Sequence, residues 1–159
     1  MPNARVSDLK IENARIIFRN FSGKEGRFNP AGNRNFCVLI DNDTAEDLKN
    51  DGWNIKYLRP RDPEDGPQAY LSVAVKFDNV PPTVYEITSK GKTQLTEETI
   101  GRLDWLEVQS FDVRITPYHW EMNGSSGIKA YLGSLYAVLV EDDFANKYYD
   151  IPDTADRYE

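Results

Sequence analysis

Two segments near the end of the chain, "FDVRITPYHWEM" (111–122) and "IKAYLGSLYAVLV" (128–140), flank the run "NGSSG". Both segments are rich in apolar, aromatic and β-branched side chains, with alternation in "TPYHWEM", and the Gly-rich run between them is a turn signal. This predicts a long antiparallel hairpin with a Gly-rich tip. Such a hairpin constrains the rest of the fold. Its outer edges carry unpaired backbone groups that must be covered by further strands or closed into a barrel.

The upstream sequence supplies those strands. "IENARIIFRNF" (11–21), "NFCVLID" (35–41), "WNIKYL" (53–58), "AYLSVAVKF" (69–77) and "TVYEIT" (83–88) all have strand character. In "AYLSVAVKF", Leu71, Val73, Val75 and Phe77 share one face; Tyr70, Ser72, Ala74 and Lys76 share the other. Two helices are predicted. "DNDTAEDLKNDG" (41–52) has Asp43 or Thr44 as N-cap and Gly52 as its stop. "TEETIGRLDWL" (96–106) has Thr96 as N-cap and Ile100, Leu103 and Leu106 at helical spacing. The runs "RPRDPEDGP" (59–67), "NVPP" and "SKGK" are breaks.

A five-stranded Greek-key barrel with a helix between its third and fourth strands is the OB-fold. The helix at 96–106 followed by two closing strands fits that plan. The expected class is mainly β, an OB-fold-like barrel with added short helices and strands. The 159 residues suffice for one domain with a real core, here 1–140, followed by an acidic tail, 141–159. Apolar content of 40% argues against a disordered chain.

The chemistry available favours binding over catalysis. His119 is the only histidine and Cys37 the only cysteine, so there is no His-based metal cluster and no intramolecular disulfide. "DNDTAED" (41–47) resembles the start of a calcium loop but has Glu46 where that loop needs glycine and Gly52 where it needs an acid. No P-loop is present. "RPRDPED" and "IPDTAD" carry the Pro-Asp pair of some nuclease sites without the acid-x-Lys strand that two-metal cleavage needs. No cofactor, no metal and no enzymatic activity are expected. The start "MPNARVSDLK" has no apolar signal core and no run is long enough to span a membrane, so a soluble, cytoplasmic protein is expected.

The net charge is −7, which by itself argues against nucleic acid, but the charge is unevenly distributed. Residues 1–40 hold seven Lys/Arg against three Asp/Glu; residues 141–159 hold two against seven. Basic and aromatic side chains crowd into "NFSGKEGRFNPAGNRNF" (20–36), a segment too long for an ordinary hairpin turn. A single strand of nucleic acid needs cations along its phosphates and aromatic faces for its bases. Arg19, Phe21, Lys24, Arg27, Phe28, Asn29, Arg34, Asn35 and Phe36 are therefore candidate contacts in and beside this loop. Lys56, Tyr57, Arg59 and Arg61 repeat the pairing in "WNIKYLRPR". Tyr70 and Lys76 repeat it in "AYLSVAVKF", and Lys129 and Tyr131 in "IKAYL". Strands also favour aromatics for packing alone, and Phe36 and Trp53 are read first as core residues. In the tail, Asp142, Asp143, Phe144, Tyr148 and Tyr149 are candidates for recruiting replication or recombination proteins. The same acids can compete electrostatically with DNA for a basic groove.

The run "GKEGRFNPAGNRNFCVLIDNDTAEDLKNDGWNIKYLRPRD", with "AYLSVAVKF" and "ITSKGKTQLTEETIGRLDW", resembles a family of small bacteriophage replication-module proteins, similar to OB-fold single-stranded DNA-binding proteins. The resemblance spans roughly residues 12 to 140 and is most specific in "RFNPAGNRNFCVLI" and "DGWNIKYLRPR". It implies that Arg27, Phe28, Asn29, Arg34, Asn35 and Phe36 lie at or beside a DNA groove. The expected function is sequence-tolerant binding and protection of single-stranded DNA, with a homo-oligomer also open. The alternative is a β-barrel interaction or virion scaffold whose basic loop meets an acidic partner, such as the tail of a neighbouring copy.

Overall fold

The computed structural model describes residues 6–142 together with 144, 147, 148 and 151. Among these, nine strands form one sheet: β1 (Leu9–Ala14), β2 (Ile16–Asn20), β3 (Arg34–Ile40), β4 (Ile55–Leu58), β5 (Gln68–Val75), β6 (Thr83–Thr88), β7 (Gly91–Leu95), β8 (Val108–Met122) and β9 (Ser125–Leu139). The helix α1 (Asn42–Asp51) follows β3, and a 3-10 helix (Ile100–Asp104) precedes β8.

The main path of the sheet runs β1-β8-β9-β5-β3-β2. Its two ends are the halves of one extended stretch, residues 9–20, broken only at Arg15. The sheet therefore closes on itself. Register shifts between Ile11 and Ala14 and between Ile17 and Asn20 bend this stretch from one partner to the other. Asn13 and Phe18, with φ of 51° and 52°, mark the two bends. Counting 9–20 as one strand, the barrel strands are 9–20, β3, β5, β8 and β9, with β5 and β9 in parallel contact at Ala74 and Tyr131. The 3-10 helix lies between the third and fourth of them. That is the expected five-stranded plan. Two insertions enlarge it: α1 with β4, which pairs with β5, and the β6–β7 hairpin, with β6 parallel to β9.

The core fills from the inward faces. Leu71, Val73 and Val75 of β5 meet Phe36, Val38 and Ile40 of β3 and Ile115, Leu132 and Leu135 of the closing hairpin. Trp53 is buried with them, as expected. The two insertions are fastened by specific contacts. Arg102 of the 3-10 helix donates at 2.7 Å to Glu86, a buried carboxylate on β6. Asp41 caps α1, its carboxylate accepting from the Thr44 amide and hydroxyl at 2.8 Å each. These bonds hold the Asp41 carboxyl below the usual carboxylate range. Gly52, at φ 108°, ends the helix.

Four expectations need correction. The cap of α1 is Asp41, two residues before Asp43 and three before Thr44. The helix over 96–106 is only the single 3-10 turn. Thr96 does not cap it; its hydroxyl donates to Glu98 instead. Gly101 lets this turn approach the loop base so closely that an added Cβ would sit 3.1 Å from the Ser22 Cβ. The turn of the closing hairpin is Asn123-Gly124 alone, both at positive φ, so Ser125 to Gly127 belong to β9. Finally, β7 was not anticipated, because all of its residues but Leu95 are exposed and it lacks apolar alternation.

Candidate nucleic-acid interface

Register places the polar faces of β3 and β5 side by side on the outside of the barrel. Asn35 lies opposite Ala74, Cys37 opposite Ser72 and Leu39 opposite Tyr70. Along the edge of β5 away from β3, β4 sets Lys56 beside Tyr70 and, further along the strand, β9 sets Tyr131 beside Ala74. A groove of about 330 Å³ runs across this face. Four cations line it: Arg34, Lys56, Lys76 and Lys129. Asn33, Asn35, Asn54 and Ser72 add neutral hydrogen-bonding groups, and no Asp or Glu is among the lining residues. In a chain of net charge −7, that is a local concentration of positive potential.

Arg34 sits at the groove edge over the Phe77 ring, 5.6 Å from its centroid, and pairs loosely with Glu97 at 3.6 Å. Its Nε is buried with no acceptor among the described residues. An unmet buried donor of this kind is costly to the fold.

The arm formed by the ends of β8 and β9 supplies the aromatic wall. Trp120 lines the groove, packed so closely on Gly127 that an added Cβ would approach its ring to 2.9 Å. Tyr118 meets Tyr131 edge-on at 6.0 Å, and Lys129 lies 5.5 Å from the Tyr131 centroid. Trp120, Tyr118, Asn33 and Asn54 were missed at the level of sequence. The pairing of Tyr118 with Lys129 across the hairpin would have revealed the first two, since the alternation that exposes Lys129 and Tyr131 also exposes them.

Several of the opening loop's candidate contacts are instead built into the fold. Phe21 and Phe36 are fully buried and stack on each other with centroids 5.2 Å apart, so neither can receive a base. Phe21 is corrected from a candidate contact to a core anchor of the loop, and Phe36 follows its first reading as a core residue. Arg19 donates to the Leu103 and Leu106 carbonyls and lies over Phe111, which ties β2 to the 3-10 helix. Asn29 donates to three carbonyls, those of Lys24, Pro30 and Asn33, and accepts from Asn35, so it staples the loop internally. Gly23 and Gly32 are needed where the two limbs cross. A Cβ at Gly23 would lie 3.1 Å from the Gly32 carbonyl carbon. Arg27 and Phe28 form a cation–π pair at the exposed tip, outside the groove.

Of the other sequence candidates, Tyr70 flanks the groove on the shared face, and Tyr57 is exposed beside Lys49. Arg59 and Arg61 lie in an exposed loop and do not line the groove. Lys24 lines a second cleft with Asn35. Burial pushes the Cys37 thiol up, opposed by the Ser72 hydrogen bond and the Lys56 charge. His119 is exposed on the arm. In the tail, the Asp142 carboxylate accepts from the Phe144 amide, and Phe144 and Tyr148 are exposed. Asp143 and Tyr149 lie outside the described residues. No helix among the described residues is long and apolar enough to cross a membrane.

Comparison with known proteins bears on the fold and the family. The structure resembles the single-stranded DNA-binding protein of bacteriophage Enc34, with a TM-score of 0.52 and 17% identity over 96% of this chain and 90% of that one. The same phage protein in complex with ssDNA matches with a TM-score of 0.54 and 16% identity, over 87% of this chain and 89% of that one. At such identities the likeness establishes the fold. No curated protein matches the sequence. A family model described as "Putative phage ssDNA-binding domain" matches residues 2–158, nearly the whole chain, and the protein therefore belongs to that phage single-stranded-DNA-binding family.

Proposed function

We propose that this protein binds single-stranded DNA without sequence preference and protects it during phage DNA replication or recombination. The carrying observation is the groove over β3 and β5: four cations, no carboxylate, and Trp120 and Tyr131 alongside. Phosphates meet the cations and bases stack on the rings, a combination that any sequence satisfies. The groove's position on the second and third barrel strands, between the opening loop and the closing hairpin, is where OB-folds take oligonucleotides. A phage protein of the same fold, whose structure is of a complex with ssDNA, supports the reading. The site would act in the host cytoplasm by binding alone. Residues 1–140 carry it, and the acidic segment 141–159 serves as a tail for replication or recombination partners.

Fluorescence anisotropy with labelled oligo-dT tests this, using duplex of equal length as control and two salt concentrations. Tight binding to oligo-dT that weakens steeply with salt, and weak binding to duplex, is expected. Indifference to oligo-dT at low salt would sink the reading in favour of a protein-binding scaffold.

A further inference from the structure

The groove does not end at Asn35. This residue also lines a second, wider cleft of about 740 Å³, bounded by β2, the opening loop and the 3-10 helix. Two aromatic side chains stand in it almost unpacked: Phe18, 63% exposed, and Trp105, 71% exposed. Single exposed rings are ordinary, and what sets this pair apart is that both line one cleft. Phe18 is also held at φ 52°, a conformation disfavoured for a bulky residue. Lys24 lines the same cleft. The nearby Asp104 carboxylate is already occupied, accepting from the Phe21 amide and from the Ser22 amide and hydroxyl. Its charge is therefore partly met by fixed donors. Glu25 is the other acid in the lining.

We propose that the single strand continues out of the groove, past Asn35, and that Phe18 and Trp105 form a second base-stacking station with Lys24 as its phosphate contact. The proposal rests on the groove binding single-stranded DNA, and it adds where the strand goes next. Continuity through Asn35 supplies the route. The pairing of exposed aromatics with a lysine supplies the chemistry of an unpaired strand, in which every base offers a ring face. The near-neutral lining, compared with the all-cationic groove, makes this a station for bases more than for phosphates. The site therefore adds affinity only to strands long enough to reach it.

A length series from dT4 to dT16, the range of site sizes seen per OB-fold, tests the route on the full chain. Two variants are compared with the wild type, Trp105→Ala and Phe18→Asn, the latter because asparagine tolerates positive φ. Unchanged melting temperatures establish that both are folded. The expected result is wild-type affinity for the shortest bound oligomers and about a tenfold loss for the longest in each variant. Wild-type affinity at every length in both variants would overturn the proposal and assign the cleft to a protein partner. Equal loss at every length would also overturn it, because the rings would then belong to the primary groove. A wild type that binds no oligomer would overturn the groove reading itself and this proposal with it, an outcome visible before any variant is made.

Discussion

The rings of Phe21 and Phe36 stack with centroids 5.2 Å apart and planes inclined by 25°, fully buried, at the two ends of the opening loop. The loop is thereby clamped to the core at both ends, and its shape follows from the fold. Phe21→Ala or Phe36→Ala should each cost about 3–5 kcal/mol of stability, measured by urea unfolding. If either variant unfolds like the wild type and loses only DNA affinity, the ring stacks on a base and the burial assignment is wrong.

Lys56, Lys76 and Lys129 line one groove from three different strands or strand ends. Each that contacts a phosphate contributes about 0.7 to the slope of log affinity against log salt. The triple alanine variant should therefore flatten that slope by roughly 2 and weaken binding at low salt, with little change in melting temperature. Alanine at Arg59 and Arg61, which lie outside the groove lining, should change the slope far less.

Trp120 rests on Gly127 with no space for a methyl group between them. Gly127→Ala should displace the indole and reproduce much of the effect of Trp120→Ala on oligo-dT affinity, on the order of 1–3 kcal/mol for a lost base stack. Titrating both variants under the same conditions checks this. Full affinity in Gly127→Ala alongside a loss in Trp120→Ala would show that the ring finds its base without the glycine.

Cys37 lies on the shared outer face opposite Ser72, and burial raises its thiol pKa. The thiolate is the reactive form, so a raised pKa means less of it at neutral pH. Alkylation by iodoacetamide should be slow at pH 7 and accelerate as pH rises. Saturating oligo-dT should slow it further at every pH, because the strand covers the face. Protection absent under saturating DNA would place the strand elsewhere.

Much of the architecture was legible in the sequence because the barrel strands alternate. The faces of "AYLSVAVKF" and of "IKAYL" follow from period two, and with them Lys76 and Lys129 of the groove and Tyr131 beside it, whereas the register shifts elsewhere in the closing hairpin do not. What the sequence did not show depends on contacts between distant segments. The turn at 100–104 is short because Gly101 and Asp104 bind it to the loop base, which helical spacing cannot reveal. Phe21 and Phe28 look alike in a polar loop, yet one is buried and the other 90% exposed. Asn29 reads as a ligand for phosphate or base until its carbonyl partners are seen. Trp120 was hidden because its role depends on Gly127 across the hairpin, a pairing fixed by the two-residue turn at Asn123-Gly124.

The most direct test of where the strand lies is photo-cross-linking with oligo-dT carrying 5-iodouracil, followed by mass spectrometry of the adducts. The groove predicts adducts on Trp120, Tyr131 and Tyr118, reached from bases running over β3 and β5. Tyr85 and Tyr136, stacked on each other at 5.8 Å on the β6–β9 part of the sheet, should stay unmodified. Adducts confined to that pair, with the arm residues untouched, would contradict the account and move the binding surface to the added hairpin.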